Sequence, residues 1–149
     1  PLQELEASAV RLKAGSSALG ARTAQTTLRA FRVEGMPNTR IIIGAGGEVA
    51  IQGDKTLFVN FGSQARAEQY LAQKLAEGMP GVSVKSFEVP QSFLDELRAS
   101  AVTQRQVHLF PNNPILVDVT KAPDQFGLRS PQIGVLRAVI IQGSGKIGF

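Results

Sequence analysis

The chain has 149 residues, of which 43% are hydrophobic and 19% charged, a balance that suits one globular domain and excludes a disordered chain. It contains no cysteine, which excludes disulfides, thiolate metal sites and cysteine nucleophiles, and its single histidine excludes a multi-histidine metal centre. The net charge of +4 favours acidic partners such as nucleic acid, a nucleotide or an acidic protein.

The first 25 residues are predicted to form a helical lead-in to the domain. One face of an amphipathic helix over residues 2–13 carries four apolar side chains, those of Leu2, Leu5, Ala9 and Leu12. This segment lacks the apolar core of a signal peptide, and no apolar run in the chain is long enough to span a membrane. We therefore expect a lead-in at residues 1–25, a single core at residues 26–149 and no membrane span.

Strand-like segments follow in quick succession. Residues 26–33 alternate between apolar and polar side chains, which predicts a strand, and residues 39–43 are β-branched and apolar enough for a strand buried on both faces. The Gly-Ala-Gly-Gly run at residues 44–47 lacks the Lys-Ser/Thr of a phosphate-binding loop and is followed by strand-like sequence, so it is interpreted as a hairpin turn. Further strands are predicted at residues 48–52 and 56–61.

Two helices alternate with strands in the middle of the chain. Ser63 is the expected N-cap of a helix that ends near Glu77. Its predicted apolar stripe consists of Ala67, Tyr70, Leu71 and Leu75. A strand is predicted over residues 82–89, and Ser92 is expected to cap a second helix that begins after Pro90.

The C-terminal third has a weaker pattern. A short strand is predicted over residues 115–119, and residues 132–139 form either a short helix or part of a strand. The sum is an α+β fold in which one curved, mostly antiparallel sheet is flanked by helices.

The junction between residues 56–61 and the following helix is the main functional feature of the sequence. Asn60 and Ser63 sit where an apolar strand leads into a helix, and backbone N–H groups at a helix N-terminus can hold an anion. Arg32, on a neighbouring predicted strand, would complete such a site by pairing with phosphate, although Arg32 taken alone is better explained as an ordinary solvent-facing arginine.

Two carboxylates interrupt apolar strands and are candidates for catalysis. Glu88 and Asp118 would face solvent by simple alternation, but either could stabilise positive charge that develops on a sugar. His108 lies in a loop-like region without an obvious partner.

The order of these segments resembles the ADP-ribosyltransferase-like toxin domains found at the C-termini of bacterial polymorphic toxins, including Rhs proteins delivered by type VI secretion. The resemblance runs through Phe31 and Arg32, residues 57–63 with the following helix, residues 86–90, and residues 126–128 to 142–145. It implies the ADP-ribosyltransferase fold, with NAD as the substrate and no metal.

The resemblance also implies roles for particular residues. Arg32 matches the arginine or histidine that holds NAD in this family, and Asn60, Phe61 and Ser63 occupy the place of the family's polar motif at the nicotinamide site. The family's late glutamate has no counterpart, because no glutamate follows Glu96; Glu88 and Asp118 are the acidic candidates, and Gln125 or Gln132 could occupy that position.

The family further implies an antibacterial effector that is secreted and acts in the target-cell cytoplasm. It would be a monomer outside a complex with a cognate immunity protein, and its basic surface favours structured RNA over protein as the acceptor of ADP-ribose. Two other functions stay open at this point. One is a metal-independent ribonuclease that uses His108, and the other is a non-catalytic binding module.

Overall fold

The computed structural model describes residues 26–36, 38–118 and 122–149, so the predicted helix over residues 2–13 lies outside the described residues. The elements are β1 (Thr27–Glu34), β2 (Ile41–Ile43), β3 (Val49–Ile51), β4 (Leu57–Phe61), α1 (Gln64–Ala76), β5 (Ser83–Pro90), α2 (Gln91–Ser100), β6 (Val102–Thr103), β7 (Ile115–Asp118), β8 (Ala122–Leu128), α3 (Ser130–Val139) and β9 (Lys146–Ile147). A short 3-10 helix, Gln104–Gln106, follows β6.

Seven of these strands form one sheet in the order β6-β7-β8-β4-β1-β5-β9, and β2 pairs with β3 in a separate hairpin. Neighbouring strands are antiparallel except for β6 and β7, which are parallel. β1 pairs with β5 along its whole length, from Thr27 opposite Pro90 to Glu34 opposite Ser83. The predicted α+β fold with a mostly antiparallel sheet is therefore confirmed.

The main core lies on one face of the sheet. Ala30 of β1 lies opposite Phe61 of β4 and Phe87 of β5, and all three side chains are buried there. The two helices that cover this face contribute Phe93, Leu94, Leu97, Ile133 and Leu136. Each buried side chain of this size stabilises the fold by about 1.5–3 kcal/mol relative to an exposed position.

A smaller core lies on the opposite face, beneath α1. Phe31 of β1 and Val84 of β5 are buried there against Ala67 of α1. Because alternate residues of a strand face opposite sides, Val84 and Phe87 belong to different cores. β5 is thus buried on both faces, and α1 is the one helix of the described part of the chain that packs on this side of the sheet.

Three local predictions are wrong. Ile42 of β2 is 41% exposed, because the β2–β3 hairpin buries only one face, so residues 39–43 are not buried on both sides. Within the predicted stripe of α1 only Ala67 is buried, and Tyr70 and Leu75 are exposed. Ser92 does not cap α2, which begins directly after Pro90 without a side-chain capping bond.

The glycine-rich run at residues 44–47 is a hairpin turn, as predicted. Gly47 has a φ of 83°, and its carbonyl accepts hydrogen bonds from the amides of Gly143 (3.1 Å) and Gly145 (2.9 Å). A Cβ atom at Gly47 would lie 2.3 Å from the carbonyl oxygen of Gly143. Glycine is therefore needed for both conformation and close approach, and neither need involves a phosphate.

A buried carboxylate joins the hairpin to the sheet. Glu34, at the end of β1, accepts hydrogen bonds from Arg32 Nε (2.7 Å), Lys85 Nζ (3.1 Å) and the backbone amides of Arg40 (3.0 Å) and Ile41 (3.2 Å). Lys85 is buried as well and also donates to the carbonyl of Ile41. Such a group is stable in the interior only while its partners remain in place.

We expect Glu34→Gln to destabilise the domain by about 3–5 kcal/mol, since the ammonium of Lys85 would be left buried without its counter-charge. The measurement is the urea unfolding midpoint, with Glu68→Gln on the exposed surface of α1 as the matched control. A Glu34→Gln midpoint equal to that of the control would show that the buried pair is not needed for stability.

Candidate functional site

A cavity opens where β1 and β4 stop pairing. Their ladder contains only Ala30 opposite Phe61 and Phe31 opposite Asn60. Beyond it, Arg32 Nη1 reaches across and donates to the carbonyl of Phe58 at 2.8 Å. A cavity of about 680 Å³ lies there, between the sheet and α1.

The lining of this larger cavity combines rings, amides and cations. The rings of Phe58 and Tyr70 are 40% and 46% exposed. The polar lining residues include Asn60, Gln69, Gln73, Gln125, Arg66 and Lys74. Lys74 Nζ lies 5.1 Å from the centroid of the Tyr70 ring and 3.2 Å from Glu77, and the hydrogen bond to Glu77 is the main reason that the pKa of Lys74 is raised.

A second cavity of about 400 Å³ adjoins the first at the N-terminus of α1. Asn60, Arg66 and Gln125 line both cavities. Asn60 and Gln125 lie opposite each other on β4 and β8, so one strand pair supplies both amides. Because the two cavities share these three lining residues, we treat them as one site and call it the α1 cleft.

The strand-to-helix junction that the sequence singled out forms one edge of the α1 cleft. Asn60 Nδ2 donates to the carbonyl of Ser63 at 2.9 Å, and Ser63 Oγ accepts from the backbone amide of Arg66 at 3.2 Å. Between them, Gly62 has a φ of 91°, a conformation that favours glycine. The predicted cap at Ser63 is confirmed, and Asn60 helps to fix the start of the helix.

Arg32 also lines the larger cavity, but much of its guanidinium is already engaged. Its Nε donates to Glu34 and its Nη1 to Phe58, while Nη2 makes no hydrogen bond to a described residue. Arg32 therefore closes the gap between β1 and β4 and can offer the remaining N–H groups to a ligand.

Phe61 is placed differently from Asn60 and Ser63. Its ring is 2% exposed and packs in the main core, 5.9 Å from the ring of Phe93 and 6.2 Å from that of Phe126. Its edge borders the smaller cavity. The position predicted to bind a cofactor thus serves mainly to anchor β4.

The two candidate carboxylates are not brought together. Glu88 lies on β5, where it contacts Arg29 at 3.4 Å, and it does not line the α1 cleft. Asp118 is the last residue of β7 and follows Val117, which lines the larger cavity. At ~4.8 Å per strand step, the four steps from β5 to β7 separate the two strands by about 19 Å.

Five charged residues that line the α1 cleft escaped sequence analysis, namely Glu34, Lys74, Arg66, Arg98 and Asp124. Arg66 could have been found, because it lies three residues after the cap Ser63 and hence in the first turn of α1. Arg98 of α2 and Asp124 of β8 form a bidentate pair with distances of 3.0 and 2.8 Å, and this hydrogen bonding raises the pKa of Arg98. A pair that is 26 residues apart has no local sequence signal.

The described residues give little support to a histidine-based ribonuclease or to a metal site. His108 is exposed and lines neither cavity of the α1 cleft. No cluster of three metal-ligating side chains occurs among the described residues. The helices that the structure describes are too short or too polar to cross a membrane.

Comparisons of the chain with family models, curated protein sequences and solved structures give no match. The function must therefore be inferred from the residues of the α1 cleft.

We expect Ser63→Ala to destabilise the domain by about 1 kcal/mol, because the amide of Arg66 would lose its capping partner. Ser92→Ala is the matched control, since Ser92 lies in the first turn of α2 without capping it. Amide hydrogen exchange should rise in the first turn of α1 in the Ser63 variant alone. Equal exchange in both variants would contradict the role of Ser63.

Proposed function

We propose that the α1 cleft binds NAD and that the domain transfers ADP-ribose from NAD to a macromolecular acceptor. The observation that carries the proposal is that two cavities share Asn60, Arg66 and Gln125 in their linings, with rings and cations along their walls. NAD consists of two ring-bearing nucleosides joined by a pyrophosphate. A long, two-part cleft with ring faces and positive charge suits a ligand of that shape and charge.

The ring faces are available for stacking. Phe58 projects from β4 and Tyr70 from α1, and both rings are partly exposed at the larger cavity. Stacking of a base on an aromatic side chain contributes about 1–3 kcal/mol. Asn60 and Gln125 offer both donors and acceptors to the amide or sugar of a bound nucleotide.

The sheet order also supports an ADP-ribosyltransferase-like fold. The resemblance assigns the nucleotide-holding arginine to one strand and the polar motif to another, and the strands with Arg32 and Asn60 are neighbours here. Arg32 bridges them at the mouth of the larger cavity.

Of the two nominated carboxylates, we assign the catalytic role to Asp118. When the bond between nicotinamide and ribose breaks, nicotinamide leaves with the bonding electrons and the sugar becomes cationic, so a nearby carboxylate lowers the barrier. Asp118 ends β7 and is next in sequence to Val117, which lines the larger cavity, whereas Glu88 lies on β5, outside the cleft.

The biological setting of the proposal rests on the resemblance of the sequence. In this setting, the domain belongs to a secreted antibacterial effector, acts in the target-cell cytoplasm and is neutralised by an immunity protein. The net charge of +4 favours structured RNA over protein as the acceptor. The domain would be a monomer when its immunity protein is absent.

We expect Tyr70→Ala to weaken NAD binding about tenfold through the loss of a stacking face. The matched control is Leu75→Ala, which removes another exposed side chain of α1 that does not line the cleft. Isothermal titration with NAD measures both variants and the parent domain. Unchanged affinity in the Tyr70 variant, or no NAD binding by the parent domain, would contradict the proposal. In a separate incubation of the domain with NAD and RNA, intact NAD together with shortened RNA would point to a ribonuclease instead.

We expect Asp118→Asn to slow nicotinamide release about 100-fold or more while NAD affinity stays the same, because the substitution removes charge without changing shape. Glu88→Gln should release nicotinamide at the parental rate. Label from NAD appearing in RNA or protein identifies the acceptor class in the same assay. Full activity of the Asp118 variant would overturn the assignment, and parental NAD binding without nicotinamide release would favour a binding module.

A further inference from the structure

The smaller cavity brings together two arginines from different helices. Arg66 comes from the first turn of α1 and Arg98 from the last turn of α2, and both residues line the same space of about 400 Å³. We propose that this space is a diphosphate subsite in which the guanidinium groups of Arg66 and Arg98 hold the bridging phosphates of a nucleotide. The identification of the ligand as a nucleotide rests on the proposed function.

Asp124 orients the guanidinium of Arg98. The side-on pair uses Nε and one N–H of Nη2, at 3.0 and 2.8 Å from the carboxylate oxygens. It fixes the plane of the guanidinium and leaves the N–H groups of Nη1 and the second N–H of Nη2 for an anion. The other nearby carboxylate, that of Asp95, is 3.7 Å from Nη1 and exposed, so it competes only weakly.

Arg66 supplies the positive charge that Asp124 does not offset. Its guanidinium makes no hydrogen bond or ion pair with another described residue, although the side chain is half-buried. Asn60 and Gln125 lie beside it as neutral amides. Two arginines against one lining carboxylate leave a net positive charge in the cavity, and guanidinium forks match the oxygens of phosphate.

The position of the subsite also explains how a two-part ligand would lie. Arg66 borders both cavities, whereas Arg98 lines the smaller one. A diphosphate held between them lies next to the larger cavity, where Phe58 and Tyr70 can stack with one ring of the nucleotide. The subsite therefore fixes the middle of the ligand rather than one end.

The test is isothermal titration with inorganic pyrophosphate and, separately, with ADP. We expect saturable binding of both by the parent domain and at least ~10-fold weaker binding after Arg66→Ala or Arg98→Ala, because each removes charge-assisted hydrogen bonds. Arg66→Lys and Arg98→Lys should also bind more weakly, since lysine keeps the charge but loses the fork. Arg105→Ala is the matched control, because Arg105 is exposed and lies outside the cleft. The urea unfolding midpoint of each variant shows that it is folded at the titration temperature.

Absence of saturable pyrophosphate binding by the parent domain would overturn the inference, as would equal weakening in the Arg105 variant. The outcome is separable from that of the proposed function. If both arginine variants release nicotinamide at the parental rate, the diphosphate subsite is contradicted and the proposed transferase function is retained. If pyrophosphate binding depends on Arg66 and Arg98 but the domain does not consume NAD, the subsite is supported and the proposed transferase function is contradicted.

Discussion

The buried carboxylate of Glu34 is the interaction on which the shape of the domain depends. It joins β1 to the β2–β3 hairpin through the amides of Arg40 and Ile41 and to β5 through Lys85. The same carboxylate orients Arg32, whose other end holds the carbonyl of Phe58. Because an isolated charge in the interior is costly, all of these partners must be placed together, and the mouth of the α1 cleft is set by that requirement.

The larger cavity of the α1 cleft follows from uneven coverage of the sheet. Among the described elements, two helices and the hairpin cover one face, whereas α1 is the one helix on the other face and packs mainly above β1 and β5 through Ala67. Beside it, Phe58 and Asn60 of β4 and Gln125 of β8 line the larger cavity. Polar and aromatic side chains therefore face a space instead of a core, which is a common arrangement for a ligand site.

The sequence predicted features that depend on neighbouring residues. Alternation located β1, β4 and β5, and the cap at Ser63 located the start of α1, because both signals are local. Sheet order is not local: β8 follows β4 by about 60 residues in the chain yet lies beside it, which brings Gln125 opposite Asn60. The Arg98–Asp124 pair could not be predicted for the same reason, because the two residues are far apart in the sequence. The burial of β5 on both faces depends on the position of α1, which is also not a local property of the sequence. Leu75 is exposed although it belongs to the predicted apolar stripe of α1. Such a stripe shows which side of a helix is apolar, but not how many of its side chains are buried.

The most direct test of the account is an NMR titration of the isotope-labelled domain with NAD. If the α1 cleft binds NAD, we expect saturable shifts, at NAD concentrations of up to ~1 mM, in the backbone amides of Asn60, Arg66 and Gln125, which line both cavities. Amides beside the groove between α2 and α3, such as that of Val135, should stay unchanged. No saturable shift, or shifts centred on Val135, would contradict the claim that the α1 cleft is the functional site.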